Sequence, residues 1–202
     1  MARVPLTEKQ LAATPLMLNV ESVGLTDEQF FCLCRDNDDL RFELTAQKEL
    51  VIMSPSGPKT SWRNNIICTR LTNWAEKDGT GLVFESSAEY SLPNGAKRAP
   101  DASWIKKERW EALGEEEQEK FAHICPDFVV ELMSPSNTLT EQKVKMDEYI
   151  ANGAQLGWLI DPFGKCAYVY RPGEPVEHLE NPATVSGDSV LAGFVFNVAE
   201  IW

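Results

Sequence analysis

The run Pro126-Asp127-Phe128-Val129-Val130-Glu131-Leu132-Met133-Ser134-Pro135-Ser136 places a single carboxylate, Glu131, inside an apolar segment bounded by prolines. Such a segment reads as a strand buried on both faces. Side chains alternate along a strand, so Val129, Glu131 and Met133 share one face and Val130 and Leu132 the other. Glu131 therefore points into a covered layer. A charge there is costly unless a cation, hydrogen-bond donors or a raised pKa offset it. A functional site meets that requirement, and so does a structural Glu bonded to a neighbouring helix or loop. Asp101 follows Pro100 in a second apolar run, Ala99 to Ile105. If the two strands are neighbours, two carboxylates face one another. Paired oxygen donors on rigid strands suit Mg²⁺, which takes hard oxygen ligands and retains waters able to attack a phosphodiester.

Such chemistry also needs a cation near the attacking water and the transition-state charge. The residue two after Glu131 is Met133, which cannot supply one. The following helix offers Lys143 and Lys145. Lys143 has Asp147 at i+4 and fits a surface ion pair. Lys145 has Tyr149 at i+4 and adjoins Met146 and Ile150, which lets it bend back over the sheet; a solvated lysine lying over apolar surface has the same spacing. A further carboxylate, Glu43, lies within the strand-like run Leu40 to Leu44, where Arg41 and Arg63 are possible partners. Asp127 is about 13 Å from Glu131 along a strand, too far to share an ion, and reads as a strand-start or loop-bonding residue.

These residues must be carried by regular elements. Residues 1–20, with Pro5 and Pro15, read as an extended arm with little structure of its own. Thr26-Asp27-Glu28-Gln29 is a capping box, so a short helix starts near Asp27 and ends near Asn37. Leu40 to Leu44 and Glu49 to Met53 flank Thr45 to Lys48 as a hairpin. Trp62, Ile66, Ile67, Leu71 and Trp74 recur at helical spacing on a helix ending at Asp78-Gly79, and that stripe reads as core. Leu82 to Leu92 supplies one or two strands, and Pro93 to Ala96 a turn. Trp110 to Phe121 is an acidic helical stretch interrupted at Gly114. A second capping box, Thr138-x-x-Glu141, opens a helix to about Asn152, which Gly153 ends. Gln155 to Ile160 and Ala167 to Tyr170 are further buried strands, and the tail is short strands and turns. The pattern is one mixed α/β domain over residues 1–202, with no internal repeat.

At 202 residues and 43% hydrophobic the chain can bury a sizeable core. It has no apolar run of membrane-spanning length and no signal-peptide core at its N-terminus, so a cytoplasmic protein is expected. Five cysteines, an odd number set mostly in apolar segments, read as buried thiols, and Cys32-Leu33-Cys34 lacks zinc-site spacing. The net charge of −12 counts against a simple nucleic-acid-binding module but not against a nuclease, whose carboxylates gather around a metal. Any DNA contact then falls on local basic spots such as Lys97-Arg98 or Lys106-Lys107.

Taken together, Leu44 through Met53-Ser54-Pro55, Arg98-Ala99-Pro100-Asp101-Ala102-Ser103-Trp104, the Pro126–Ser136 run, Lys145-x-x-x-Tyr149 and Gly157-Trp158-Leu159-Ile160-Asp161-Pro162 resemble the Uma-two family of restriction-endonuclease-like proteins, within the PD-(D/E)XK nuclease superfamily. The resemblance runs from about Thr26 to Trp202. It implies a restriction-endonuclease-like mixed sheet flanked by helices, with an extra N-terminal helix-hairpin and C-terminal strands. It also implies Mg²⁺-dependent cleavage of DNA, Mn²⁺ being able to substitute, with Asp101 and Glu131 as metal ligands. Glu43 matches a family Glu that can reach the metal as a third carboxylate. The superfamily's lysine stands two residues after the second acid; here Met133 holds that place and Lys145 is the implied substitute. Many members also carry a His soon after the Met-Ser-Pro turn, where this chain has Lys59-Thr60-Ser61-Trp62-Arg63-Asn64. Double-strand cleavage suits a two-fold homodimer. The alternative is a non-catalytic protein that keeps the fold as a binding or regulatory module, which the acidic balance favours. A purely structural domain, with Glu131 bonded only to backbone or an Arg, is a third reading. Convergence of Glu43, Asp101, Glu131 and the Lys145 ammonium within a few ångströms separates the first reading from the others.

Overall fold

The structure is a computed structural model that describes residues 15–53 and 55–202. Its elements in chain order begin with β1 (Leu16–Asn19), α1 (Asp27–Arg35) and the hairpin β2 (Arg41–Leu44) and β3 (Glu49–Met53). The long helix α2 (Pro58–Asp78) leads to β4 (Gly81–Glu85), β5 (Tyr90–Ser91), β6 (Lys97–Arg98) and β7 (Ala102–Lys106). Short helices α3 (Lys107–Glu111) and α4 (Glu115–Glu119) precede β8 (Phe128–Leu132), α5 (Leu139–Ala151), β9 (Leu156–Asp161) and β10 (Cys166–Tyr170). The tail supplies β11 (Glu177–Glu180), β12 (Thr184–Ser186), β13 (Val195–Asn197) and a 3₁₀ turn, Val198–Ile201.

A six-stranded mixed sheet, in the order β11-β10-β9-β8-β7-β4, forms the centre. β7 and β8 are antiparallel, with Ala102 opposite Val130, and β8 and β9 are parallel, as a β-α-β crossover through α5 requires. Alternation along β8 divides the core. Phe128, Val130 and Leu132 pack with Ile67, Leu71 and Ala75 of α2 and with the C-terminal Phe194, Phe196 and Ile201. Val129 and Met133 pack on the opposite face with Met146 and Tyr149 of α5. Glu131 belongs to this second face. A five-stranded sheet, β1-β3-β2-β6-β5, holds the hairpin, and α1 covers it through Phe30 against Phe42, Leu44 and Leu50.

Both capping boxes form: Thr26 with Gln29, and Thr138 with Glu141. Gly79 closes α2 in the left-handed conformation. The expected N-terminal arm is only partly tested, because residues 1–14 lie outside those described. Leu16–Asn19 is not free of structure but pairs antiparallel with β3, from Leu16 opposite Ile52 to Asn19 opposite Glu49. The α2 stripe also differs from expectation. Trp62 stands 48% exposed, while the buried face carries Thr60, Arg63 and Asn64 ahead of Ile67, Leu71 and Ala75. Arg63 is held there because its Nε donates to the Ile201 carbonyl at 2.7 Å, tying the tail to α2. Asp101 lies just before β7 rather than within it. All five cysteines are free, and among the described residues no helix is long and apolar enough to cross a membrane.

Candidate active site

Four separate elements, β2, the start of β7, β8 and α5, bring the predicted residues together at the C-terminal end of β8. Glu131 projects from β8 towards α5, where Lys145 and Tyr149 stand one turn apart and so share a face. The Lys145 ammonium lies 2.8 Å from Glu131 Oε1 and 2.7 Å from Glu43 Oε1, with Glu43 arriving from β2 of the other sheet. Tyr149 donates its hydroxyl to the same Glu131 Oε1 at 3.0 Å. Asp101 reaches across from the start of β7, where its Oδ2 accepts the Leu132 backbone N–H at 2.8 Å. Asn64 of α2 donates to Asp101 Oδ1 at 2.6 Å, and the Cys68 thiol, one turn further along α2, faces the Asp101 carbonyl at 3.7 Å.

The partners of Glu43 are neither Arg41 nor Arg63. Its Oε2 takes Arg98 Nη1 at 3.0 Å, and its Oε1 takes Lys145 and, at 3.3 Å, the Ala99 N–H. Arg41 instead donates to Ser86 Oγ. Arg98 also bonds Glu148 of α5 through Nε at 2.6 Å, so one guanidinium spans the two sheets' territories. Lys143 stays outside this group, its ammonium 4.2 Å from the Tyr168 ring centroid. Asp127 is buried but separate, accepting the Lys106 N–H at 2.9 Å and pairing with Arg109 at 2.9 Å, which is the strand-start role expected of it.

The group opens into a cleft of about 720 Å³ lined by Glu43, Glu89, Asp101, Glu131, Lys145 and Arg41 among others. A smaller cleft of about 260 Å³ lies beyond Asp101 and shares Arg41, Ser86 and Asp101 with it.

The Uma2 family, described as “Putative restriction endonuclease”, matches residues 27–199. The chain belongs to the Uma2 family. A crystal structure of a “putative nuclease belonging to DUF820” from Anabaena variabilis is similar in fold, with a TM-score of 0.68 and 21% identity over 79% of this chain and 88% of that one. No curated protein matches.

In this Uma2 chain the electrostatics of the site follow from burying acids beside too few cations. Four carboxylates (Glu43, Glu89, Asp101, Glu131) face the Lys145 and Arg98 cations, and Arg98 is shared with Glu148. Burial pushes Glu131 up to about 7; the Lys145 ammonium opposes that rise, and the Asp101 and Glu43 charges add to it. Asp101 is raised by burial, against the Leu132 N–H and Lys145, which favour its charged form. Burial acts to raise Glu43 as well, but Lys145 and Arg98 outweigh it and hold this carboxyl below its ordinary value. For Lys145 burial acts downward and is overcome by Glu131 and Glu43, so the ammonium keeps its proton well above neutrality. Glu89 is raised well above the ordinary range by burial and then by Glu43, and its Oε1 has no hydrogen-bond partner among the described residues.

Sequence reasoning named Glu43, Asp101, Glu131 and Lys145; the fold joins Glu43 and Glu131 directly through Lys145 and sets Asp101 in the wall of the same cleft. It missed Glu89, the cross-sheet role of Arg98 and the contact of Asn64. The Lys145-x-x-x-Tyr149 spacing was the one available signal for Tyr149. Nothing local marks Glu89, which sits in a turn between β4 and β5 and meets Glu43 only through the tertiary fold.

Proposed function

We propose that this Uma2 chain is a Mg²⁺-dependent endodeoxyribonuclease that hydrolyses DNA phosphodiester bonds at the Asp101–Glu131 pair. The observation that carries the reading is the convergence of Asp101, Glu131 and the Lys145 ammonium at the paired ends of β7 and β8. The donor set fits a hard cation. The available groups are carboxylate oxygens held on adjacent strands, and the buried negative excess favours a divalent ion. Among the described residues no three His, Cys, Asp or Glu side chains close on one point. Mg²⁺ is commonly held by one or two carboxylates together with waters and substrate phosphates. Asp101 and Glu131 would be its ligands, with Mn²⁺ as a substitute. Glu43, the third carboxylate of the sequence reading, would have to release Lys145 or Arg98 to join them; in the present arrangement its part is to seat Lys145.

When bound, the ion would lower the pKa of a water and neutralise the phosphate. The chain's own groups account for the rest. Lys145 is a fixed positive charge, because two carboxylates keep it protonated, so it stabilises an incoming hydroxide and the charge of the phosphorane rather than acting as a base. Tyr149 and Lys145 both bond Glu131 Oε1 and thereby fix how the carboxylate faces the cleft. Arg41, at the junction of the two clefts, is placed to meet a flanking phosphate.

The test is cleavage of linear and supercoiled DNA with Mg²⁺ or Mn²⁺ by the wild type, Asp101→Asn and Glu131→Gln, with circular dichroism to verify folding. Both variants are expected to be folded and inactive. Full activity in either overturns this assignment, and a wild type that neither binds Mn²⁺ by calorimetry nor cuts DNA moves the chain to the non-catalytic binding or regulatory reading.

A further inference from the structure

Asn64 lies on the buried face of α2, 9% exposed, in line with Ile67, Leu71 and Ala75. Its amide donates to Asp101 Oδ1 at 2.6 Å, while its own Oδ1 is closed off from solvent with no hydrogen-bond partner among the described residues. A core amide ordinarily satisfies both its ends. Here it cannot, because reversing the amide would set its carbonyl against a carboxylate oxygen. The donor end therefore goes to Asp101, and the acceptor end is left without a protein partner at the wall of the smaller cleft, which lowers the stability of the fold. An aliphatic residue of similar size would fill this position without that loss. The space is thus poorly explained by packing and well explained by the one bond to Asp101.

That bond completes a three-sided hold on Asp101. The Leu132 N–H fixes Oδ2 from β8, Asn64 fixes Oδ1 from α2, and Cys68 contacts the Asp101 carbonyl. We propose that Asn64 is a positioning residue, which keeps the Asp101 carboxylate turned towards Glu131 at the expense of fold stability. Its geometry is independent of the nuclease reading; its consequence for turnover rests on that reading. Partners of this kind orient a ligand without touching the metal, and their loss commonly costs about ten- to a hundredfold in metal affinity or activity.

The experiment compares wild type and Asn64→Leu in three ways: unfolding temperature without metal, Mn²⁺ affinity by calorimetry, and single-turnover cleavage of DNA. The expected result is an unfolding temperature equal to or above that of the wild type. Mn²⁺ affinity or the cleavage rate should fall about tenfold or more, with KM nearly unchanged. A purely structural residue would do the opposite, so earlier unfolding with wild-type Mn²⁺ binding and cleavage overturns the proposal. Should the leucine prove too bulky, Asn64→Ala serves in the same comparison of Mn²⁺ affinity per folded molecule. A wild type that binds Mn²⁺ but cuts no DNA, with Mn²⁺ binding weakened by Asn64→Leu, overturns the endodeoxyribonuclease reading while supporting the role of Asn64.

Discussion

Glu131 has to lose a proton before it can hold a cation, and burial delays that loss to about pH 7 from an ordinary value of 4.5. The sign of the resulting pH dependence follows from linkage. Between these two values the folded chain keeps the proton and the unfolded chain has released it, so the metal-free fold loses stability as pH rises through this window and levels off above it. Metal affinity runs the other way, rising towards and through pH 7. Asp101 and Glu89 are also raised and slope in the same direction, whereas Glu43 is lowered and opposes them. The contribution of Glu131 is therefore read as a difference. Metal-free unfolding curves from pH 5 to 8 should fall more steeply for the wild type than for Glu131→Gln, while wild-type Mn²⁺ affinity climbs over the same range. Equal slopes in the two proteins would show that Glu131 titrates normally. Glu43, Asp101 and Glu131 could be picked out in the sequence because each interrupts an apolar run; Glu89 could not. Their pairing could not: Glu43 and Lys145 are 102 residues apart, and only the fold brings the Lys145 ammonium to both Glu43 and Glu131.

At the scale of elements, legibility followed the strength of the local signal. The two capping boxes, the hairpin, the Asp78-Gly79 stop and the apolar strands β8 to β10 each depend on residues close in sequence, and each forms where expected. The α2 stripe was read by counting apolar residues, which credits Trp62 and overlooks Arg63 and Asn64. Those two face inward because a backbone carbonyl and a carboxylate from distant parts of the chain receive them. Gly81 is another feature that no periodicity reveals. It pairs with Lys106 at the start of β4, and a β-carbon there would collide with the Trp104 ring and the Ile105 carbonyl oxygen. The ring is fully buried and the carbonyl belongs to the sheet, so neither can give way at little cost. Gly81→Ala is expected to destabilise by roughly 1 to 3 kcal/mol, the range for forcing extra volume into a packed site. Urea unfolding measures it, and an unchanged midpoint would mean that the β4 edge moves freely. Cleavage per folded molecule should be unaffected, since Gly81 on β4 pairs with the end of β7 remote from Asp101.

The described residues form a six-stranded and a five-stranded sheet, whose border is the candidate site, and a two-stranded sheet of β12 and β13 in the tail. With a net charge of −12, the proposed engagement of nucleic acid falls on local cations such as Arg41 and Lys59, which line the cleft. Charge joins the sheets there, beside the apolar packing of Tyr90, Leu92 and Ala96 with Ile105 and Val129. Arg98, on β6 of the five-stranded sheet, holds Glu43 and Glu148, and Lys145 of α5 reaches back to Glu43. Neither sheet can part from the other without leaving one of these ions buried and unmatched, or hydrating it in an open intermediate. Amide hydrogen exchange would register this as a shared clock. The amides of Glu43 and Leu44 in β2, paired with Val51 and Lys97, should exchange at the same opening free energy as those of Val129 and Val130 in β8, as members of one cooperative unit. In Arg98→Ala the two sets should separate, β2 exchanging first. If β2 already exchanges ahead of β8 in the wild type, the sheets open independently and the guanidinium does not couple them.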